Sequence, residues 1–180
     1  YSLAWTSIGY EVLLTPLQIL TFYNAIANHG KMMQPYIVEE FIDENKTVWK
    51  REPTVINKKI ASDNAINTMR SLLEGVVQQG TASNIKDSII PIAGKTGTAL
   101  IAQDGGYRSE GKQYVASFAG YFPANNPLYS CIVVVHKPKQ GLYYGSQIAA
   151  PVFHEIAKKI YATQLEIHSI ENKETYYNIL

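Results

Sequence analysis

One stretch of the sequence has the residue types needed to hold the substrate of an acyl-transfer reaction. Residues 93–99, Ala-Gly-Lys-Thr-Gly-Thr-Ala, lie in a β-prone segment. An enzyme that works through an acyl-serine must bind its substrate, stabilise an oxyanion and move protons. A strand edge presents backbone N–H groups in a fixed row, and glycine at position 97 lets a substrate backbone approach closely. The segment therefore predicts a substrate-binding strand.

A second stretch could supply the attacking serine, but its surroundings do not suit that role. Ser83-Asn84-Ile85-Lys86 has a serine and a lysine at the spacing of one helical turn. A nucleophile of this type must open a buried helix, so that the two side chains face each other in a dry pocket. Here Asp87 and Ser88 follow, and then a predicted strand, with no apolar helical face to bury. We therefore expect no nucleophile in this chain.

A third stretch, Ser62-Asp63-Asn64, could serve as a proton relay, but it has a simpler explanation as the start of a helix. Ser62 can accept a hydrogen bond from a free backbone N–H group as an N-cap, and Asp63 favours the helix dipole. Loss of such a cap costs about 1 kcal/mol of stability. We therefore interpret Ser62 as structural and do not assign Asn64 to a relay.

Composition excludes several classes of function. The chain has 180 residues, which suits one domain with a core, and its formal charge of +1 indicates neither nucleic acid nor an anionic membrane surface as partner. Cys131 is the only cysteine and lies in an apolar run, where a buried, inert thiol is expected. The four histidines have no metal-ligand spacing, so neither a metal nor a cofactor is predicted.

The first part of the sequence predicts two helices with a hairpin between them. Thr15-Pro16-Leu17-Gln18 is typical of a helix start with a capping box, and Gly30 is a fitting stop. Residues 36–42 and 47–50 predict the two strands of the hairpin. Residues 62–79 have the apolar stripe of a second helix.

The second part predicts three antiparallel strands and a last helix. The strands are expected at residues 89–100, 114–121 and 128–136, with a polar loop after the first and a tight turn after the second. The last helix is expected at residues 147–162, with Pro151 in its first turn, and residues 163–180 are expected to form a loose polar tail. Helices gathered around an antiparallel sheet indicate an α+β fold.

The order of several short stretches resembles one known family. Residues 94–99 follow Gly80-Thr81-Ala82, and further matching stretches lie on both sides at residues 6–10, 15–18, 27–30, 116–123 and 149–153. In that order and spacing they resemble the C-terminal half of the transpeptidase domain of class B penicillin-binding proteins. The form Ala-Ser-Phe-x-Gly-x-x-Pro is more similar to the cell-division member than to the elongation member. The resemblance covers about residues 2–161.

The resemblance implies a role for each residue of the Lys-Thr-Gly strand. Lys95 would supply positive charge and tune the proton relay, and the hydroxyls of Thr96 and Thr98 would bind the substrate carboxylate beside Gly97. The Thr98 backbone N–H group would be one oxyanion-hole donor, and the other would be the N–H group of the nucleophilic serine. In the family the nucleophile motif precedes the middle motif, which is the reverse of the order found here. This order again excludes Ser83 as the nucleophile.

The resemblance also implies the activity of the whole protein, a peptidoglycan D,D-transpeptidase of the kind that β-lactams acylate. A serine would attack a D-Ala-D-Ala stem peptide on the outer, periplasmic face of the cytoplasmic membrane, beside a lipid-linked glycan polymerase and divisome proteins. No apolar run here approaches the ~20 residues of a membrane span, so the anchor would lie in a segment absent from this chain. The chain alone would be inactive, because an oxyanion donor without a nucleophile has nothing to stabilise.

The implied fold is a partial penicillin-binding-protein or serine β-lactamase-like domain over residues 1–162, followed by the tail at 163–180. Two more strands, beside residues 128–136, and the serine helix would come from the N-terminal half of the same domain. Without them the apolar edge at residues 132–135 would be open to another chain, so self-association or marginal stability is expected.

Two other functions have to be weighed against this one. A penicillin-recognising sensor or wall-binding domain would keep the same strand without turnover, and a Ser-x-x-Lys opening an upstream helix would exclude it. A self-contained serine β-lactamase that uses Ser83 fails on motif order and spacing and lacks a deacylating base. Tyr143-Tyr144-Gly145 either flanks the substrate groove, as in the family, or forms a surface turn.

Overall fold

The computed structural model describes residues 2–7, 9, 12–102, 112–139 and 141–177. The chain divides into two compact units, Tyr1–Met69 and Arg70–Leu180. Helices and short antiparallel sheets make up both units. Among the helices that are described, none is long and apolar enough to cross a membrane.

The helices of the first unit are α1 (Ser2–Ser7) and α2 (Pro16–Ala27). The predicted capping box is confirmed, because the Thr15 hydroxyl accepts a hydrogen bond from the Gln18 N–H group at 3.3 Å while the Thr15 N–H group donates to Gln18 Oε1 at 2.8 Å. The predicted stop is also confirmed. Gly30 has a φ of +87°, which favours glycine, and its N–H group donates to the Ala25 carbonyl at 2.8 Å.

Four short strands complete the first unit: β1 (Met32–Met33), β2 (Glu40–Asp43), β3 (Lys46–Lys50) and β4 (Val55–Asn57). The predicted hairpin is confirmed as the antiparallel pair β2–β3. Its turn residues, Glu44 and Asn45, have φ values of 44° and 64°, the backbone that two-residue hairpin turns favour. The pair β1–β4 was not predicted, because strands of two and three residues are too short to show a period.

The predicted first strand of the hairpin is wrong over residues 36–39, which are not in a strand. Residues 36–38 are β-prone, yet they are not in a strand and instead line a groove of about 410 Å³ together with Trp49 and Arg51. Arg51 also lies over the Tyr36 ring, at 5.3 Å from its centroid.

Helix α3 (Asp63–Gln78) begins in the first unit and ends in the second. Ser62 is its N-cap, as predicted, because the Ser62 hydroxyl accepts a hydrogen bond from the Ala65 N–H group at 3.3 Å. The predicted end is also confirmed at Gly80, where a Cβ would lie 2.8 Å from the Cα of Val76. The tight turn that follows therefore requires glycine.

The sheet of the second unit has the order β5-β6-β7, with β5 at Ala93–Leu100, β6 at Tyr114–Phe122 and β7 at Tyr129–His136. Both pairs are antiparallel, as predicted. The predicted start of the first strand at residue 89 is wrong. Asp87 Oδ1 accepts hydrogen bonds from the N–H groups of Ile89 and Ile90, at 2.8 and 3.1 Å, and this turn delays the strand to Ala93.

The last helix, α4 (Gly145–Tyr177), packs on this sheet. Phe153 of α4 lies edge-to-face against Phe118 and Phe122 of β6, with ring centroids 4.8 and 5.7 Å apart. The α+β fold with helices on a three-stranded antiparallel sheet is thereby confirmed. The core of the second unit combines residues of α3, β6, α4 and the segment before β5.

The bounds of α4 differ from the prediction. The helix runs from Gly145 to Tyr177, so Pro151 lies inside it and not in its first turn. The predicted loose tail is wrong for residues 163–177, because no glycine or proline after Pro151 interrupts the helix. Residues 178–180 of the predicted tail and most of the predicted polar loop (103–111) lie outside the described residues.

Candidate functional site

The Lys-Thr-Gly residues lie in the middle of β5, which ends the strand order of its sheet. Thr96 and Thr98 lie opposite Phe118 and Ala116 of β6, and both of these partners are fully buried. Directly opposite residues of antiparallel strands point to the same face. The two threonine side chains therefore lie on the face of the sheet that α4 covers, on the strand at the edge of that sheet.

Two polar groups contact the Thr96 hydroxyl. Lys95 Nζ lies 3.3 Å from Thr96 Oγ1 and also donates to the Thr96 carbonyl at 2.9 Å. Thr81, in the turn after α3, places its own hydroxyl 3.0 Å from Thr96 Oγ1. The Lys95 and Thr81 side chains are exposed and Thr96 is half-buried, so the cluster is open to a ligand.

The start of α4 holds the Thr98 hydroxyl. The Gly145 N–H group donates a hydrogen bond to Thr98 Oγ1 at 3.1 Å. A Cβ at position 145 would collide with the carbonyl oxygens of Ser117 and Gly97. Glycine at 145 therefore allows the backbone of α4 to approach the sheet closely enough for this bond.

The structure gives a packing reason for glycine at position 97 that the sequence did not reveal. A Cβ at position 97 would collide with the Ser117 hydroxyl, which fills that space from the neighbouring strand. Glycine at 97 thus leaves room for the Ser117 hydroxyl in its present position, and a larger residue would displace that hydroxyl. Close approach of a substrate backbone remains a prediction.

Three tyrosines form a row beside the C-terminal end of β5. Tyr143 stacks on Tyr114 with ring centroids 4.4 Å apart, and the Tyr143 and Tyr144 rings are also 4.4 Å apart. The Tyr143 and Tyr144 hydroxyls form a hydrogen bond at 3.3 Å, and this contact with Tyr143 raises the pKa of Tyr144. The sequence singled out Tyr143 and Tyr144 but missed Tyr114. Its position at the start of a strand paired with β5 could have indicated it.

An ion-pair geometry joins the segment before β5 to α4. Asp87 Oδ2 and His154 Nε2 are 2.8 Å apart, and only 15% of each side chain is exposed. The His154 hydrogen bond, followed by the Ile89 and Ile90 N–H groups, lowers the pKa of Asp87 to about 2. Sequence reasoning considered the histidines only as metal ligands and missed this partner of His154, because no local pattern links positions so far apart.

The two rejected motif matches have other roles in the structure. Ser83 begins a single 3₁₀ turn, Ser83–Ile85, and both Ser83 and Lys86 are exposed. The prediction that no buried α-helix begins at Ser83 is confirmed. Asn84 Nδ2 donates to the Ser146 carbonyl at 2.8 Å and so anchors this turn to α4. Asn64 is exposed in the first turn of α3, within the first unit.

The remaining reactive side chains form no further centre in the described part of the chain. There, no group of three histidine, cysteine or acidic residues could hold a metal ion. Cys131 is half-buried, where the sequence predicted full burial, and burial raises the pKa of its thiol. A raised pKa keeps the thiol protonated, as expected for an inert cysteine.

Comparison with known proteins gives one family. The family model described as the penicillin-binding protein transpeptidase domain matches residues 1–158. Stage V sporulation protein D of Bacillus subtilis is 35% identical over 157 residues, covering 86% of this chain and 24% of that protein. The peptidoglycan D,D-transpeptidase FtsI of Escherichia coli K12 is 32% identical over 153 residues, covering 83% of this chain and 24% of that protein.

Solved structures agree with this result. Penicillin-binding protein 3 of Mycobacterium tuberculosis, complexed with ampicillin, has a TM-score of 0.77 at 30% identity, covering 91% of this chain and 38% of that one. The transpeptidase domain of FtsI4 from Legionella pneumophila has a TM-score of 0.59 at 29% identity, covering 82% of this chain and 47% of that one. The chain thus spans about a quarter of the length of these curated relatives and under half of that transpeptidase domain.

Proposed function

Because the chain belongs to the penicillin-binding protein transpeptidase domain family, we propose that it is the C-terminal part of a serine-type peptidoglycan D,D-transpeptidase. The observation that carries this proposal is the pair of hydroxyls, Thr96 and Thr98, on one face of a border strand beside the Lys95 ammonium. Peptidoglycan stem peptides that end in D-Ala-D-Ala and β-lactams both present a carboxylate to such a cluster. Hydroxyl and ammonium donors bind a carboxylate with charge-assisted hydrogen bonds.

The chemical step divides between this chain and the N-terminal half of the same domain. The serine comes from that half and attacks the carbonyl of the penultimate D-Ala, which releases the last D-Ala. The N–H group of Thr98 donates to the developing oxyanion together with the N–H group of the serine. The positive charge of Lys95 stabilises the negative charge that develops beside the proton relay. The acyl group then passes to the amine of a neighbouring stem peptide.

The row of Tyr114, Tyr143 and Tyr144 forms one wall of the proposed substrate groove, on the far side of Thr98. Its stacked rings offer flat apolar faces and hydroxyls at the end of β5, where the acyl side chain of a substrate or β-lactam continues past the carboxylate. The Gly145 N–H group, which follows this row directly, fixes its distance from Thr98.

Cell location and partners follow from the same proposal. The complete protein works in the cell envelope, on the outer, periplasmic side of the cytoplasmic membrane. Its partners are a lipid-linked glycan polymerase and divisome proteins. Relatives named FtsI support the cell-division type.

Acylation of the complete protein by a fluorescent penicillin tests the proposal. Lys95→Ala should lower the second-order acylation constant by about 100-fold or more, because it removes charge from the relay and the carboxylate site. Lys159→Ala removes an exposed lysine from α4 and should leave the constant unchanged. Equal acylation of wild type and Lys95→Ala would contradict the proposed role. Acylation without release of D-Ala from a stem peptide would favour a sensor.

A further inference from the structure

Thr81 lies outside the Lys-Thr-Gly strand, yet its hydroxyl reaches the cluster. We propose that Thr81 is a positioning residue for carboxylate recognition: it donates to Thr96 Oγ1 and so keeps the Thr96 proton directed at the bound carboxylate. This inference rests on the proposed function and adds a third hydroxyl to it. The contact is the 3.0 Å distance between Thr81 Oγ1 and Thr96 Oγ1.

Hydrogen-bond accounting decides the direction of this contact. A threonine hydroxyl has one proton to donate and two lone pairs to accept with, whereas an ammonium group only donates. Thr96 Oγ1 therefore accepts from Lys95 Nζ, at 3.3 Å. A carboxylate only accepts, so Thr96 can bind it only with its own proton. Thr81 must then donate to Thr96, because the opposite direction would use that proton within the protein.

Thr98 has the same arrangement with a different donor. The Gly145 N–H group can only donate, so Thr98 Oγ1 accepts at 3.1 Å and keeps its proton. Both threonines of the strand thus receive hydrogen bonds from the protein and have their protons left for a ligand. Thr81 plays for Thr96 the part that the Gly145 backbone plays for Thr98.

The turn that carries Thr81 is built to hold this hydroxyl in place. On one side Gly80 packs against Val76, where no Cβ would fit. On the other side Ala82 is fully buried and its N–H group donates to the Val76 carbonyl at 3.0 Å. Thr81 itself is exposed between these two fixed neighbours. A side chain that projects from such a rigid turn can orient its partner at little entropic cost.

The selectivity of the complete protein for a carboxylate tests the proposal. Second-order acylation constants are measured with a penicillin and with the methyl ester of the same penicillin. Thr81→Val keeps the shape but removes the hydroxyl, and it should lower the constant for the free acid by about tenfold while leaving the constant for the ester unchanged. Thr81→Ser should restore the wild-type ratio. Thr163→Val, an exposed threonine of α4, is the matched control.

The outcomes separate three cases. A Thr81→Val variant that loses the same factor with both compounds, or with neither, would overturn the role of Thr81 in carboxylate recognition. In a Thr96→Val background the Thr81→Val change should have no further effect on the acid-to-ester ratio, because Thr81 acts through Thr96. If Thr81→Val lowers that ratio in the Thr96→Val background as much as it does in the wild type, the proposal is also overturned. A wild-type protein that neither compound acylates would instead refute the proposed function, and this inference with it.

Discussion

Hydrogen bonds to individual side-chain atoms determine how the Lys-Thr-Gly strand can bind a ligand. The hydroxyls of Thr96 and Thr98 are each held by a neighbouring segment, by the Thr81 side chain in one case and the Gly145 N–H group in the other. Lys95 completes the cluster from its own strand. The three anchoring segments come from the turn after α3, from β5 and from the start of α4. A local change in any one of them should therefore alter the proposed carboxylate site.

Gly145→Ala tests the close approach of α4 to the sheet. The new Cβ would collide with two backbone carbonyl oxygens, which cannot move as a side chain can, so we expect a loss of about 1–3 kcal/mol in the free energy of unfolding. Gly75→Ala is the matched control, because a Cβ there meets nothing within 4 Å and alanine favours the interior of α3. It should stabilise by about 0.5–1 kcal/mol. Urea denaturation measures both, and equal effects would contradict the close-approach argument.

At the scale of elements, the pair of Asp87 and His154 connects the segment leading into β5 with α4. The same carboxylate caps the N–H groups of Ile89 and Ile90, so one side chain sets where the strand begins and ties it to the helix. Asp87 thereby holds the chain in place just before the strand that carries the Lys-Thr-Gly residues begins.

The stability contributed by Asp87 should depend on pH in the acid range. Its pKa is lowered from an ordinary 3.8 to about 2, so the ionised carboxylate stabilises the fold fully above about pH 4, and this contribution is lost as the pH falls through about 2. Asp87→Asn should destabilise by about 1–3 kcal/mol near neutral pH and flatten the loss of stability between about pH 4 and pH 2.

The exposed Asp63, which pairs with Lys59 on the surface, supplies the control. Its side chain is 75% exposed, so Asp63→Asn should change stability by at most about 1 kcal/mol. Thermal unfolding at a series of pH values measures both variants. An acid profile of Asp87→Asn that overlays the wild type would show that the pair with His154 does not stabilise the fold.

Elements with local signals could be predicted from the sequence. The capping box at Thr15 and Gln18 and the N-cap at Ser62 are interactions between residues three apart, and they fixed the starts of α2 and α3. The three strands of the second unit followed from β-prone runs and a turn. The length of α4 was missed because polar composition was taken as a sign of looseness, although no residue there stops a helix.

Contacts between distant segments could not be predicted. The contacts of Thr81 with Thr96, of Gly145 with Thr98 and of Asp87 with His154 join parts of the chain that only the fold brings together. The candidate strand was thus identifiable from Lys95 to Thr98, whereas the groups that orient its hydroxyls were not.

On the scale of the whole molecule, a sheet edge and much apolar surface lack a cover within the described residues. There, β7 has a neighbouring strand only on the β6 side. In the first unit Leu13 and Ile37 are 98% and 97% exposed. Both features agree with the proposal that this chain is the C-terminal part of a larger transpeptidase domain.

Self-association of the isolated chain remains a prediction. Sedimentation velocity should show dimers or larger species at micromolar concentration, because β7 offers unpaired backbone groups to another chain. Val134→Lys places a charge on this exposed strand and should shift the distribution toward monomer, whereas Val152→Lys, on exposed α4 surface, should not. A wild-type chain that is monomeric and melts at high temperature would contradict the open edge.

The most direct test of the central claim, that this chain carries the substrate strand but not the nucleophile of a penicillin-reactive site, is intact-mass spectrometry after incubation with a penicillin. The isolated chain of residues 1–180 should show no mass shift, and the complete protein should gain one penicillin on a serine outside these residues. A stoichiometric adduct mapped to Ser83 in the isolated chain would contradict the account, because it would make the exposed 3₁₀ turn the active site.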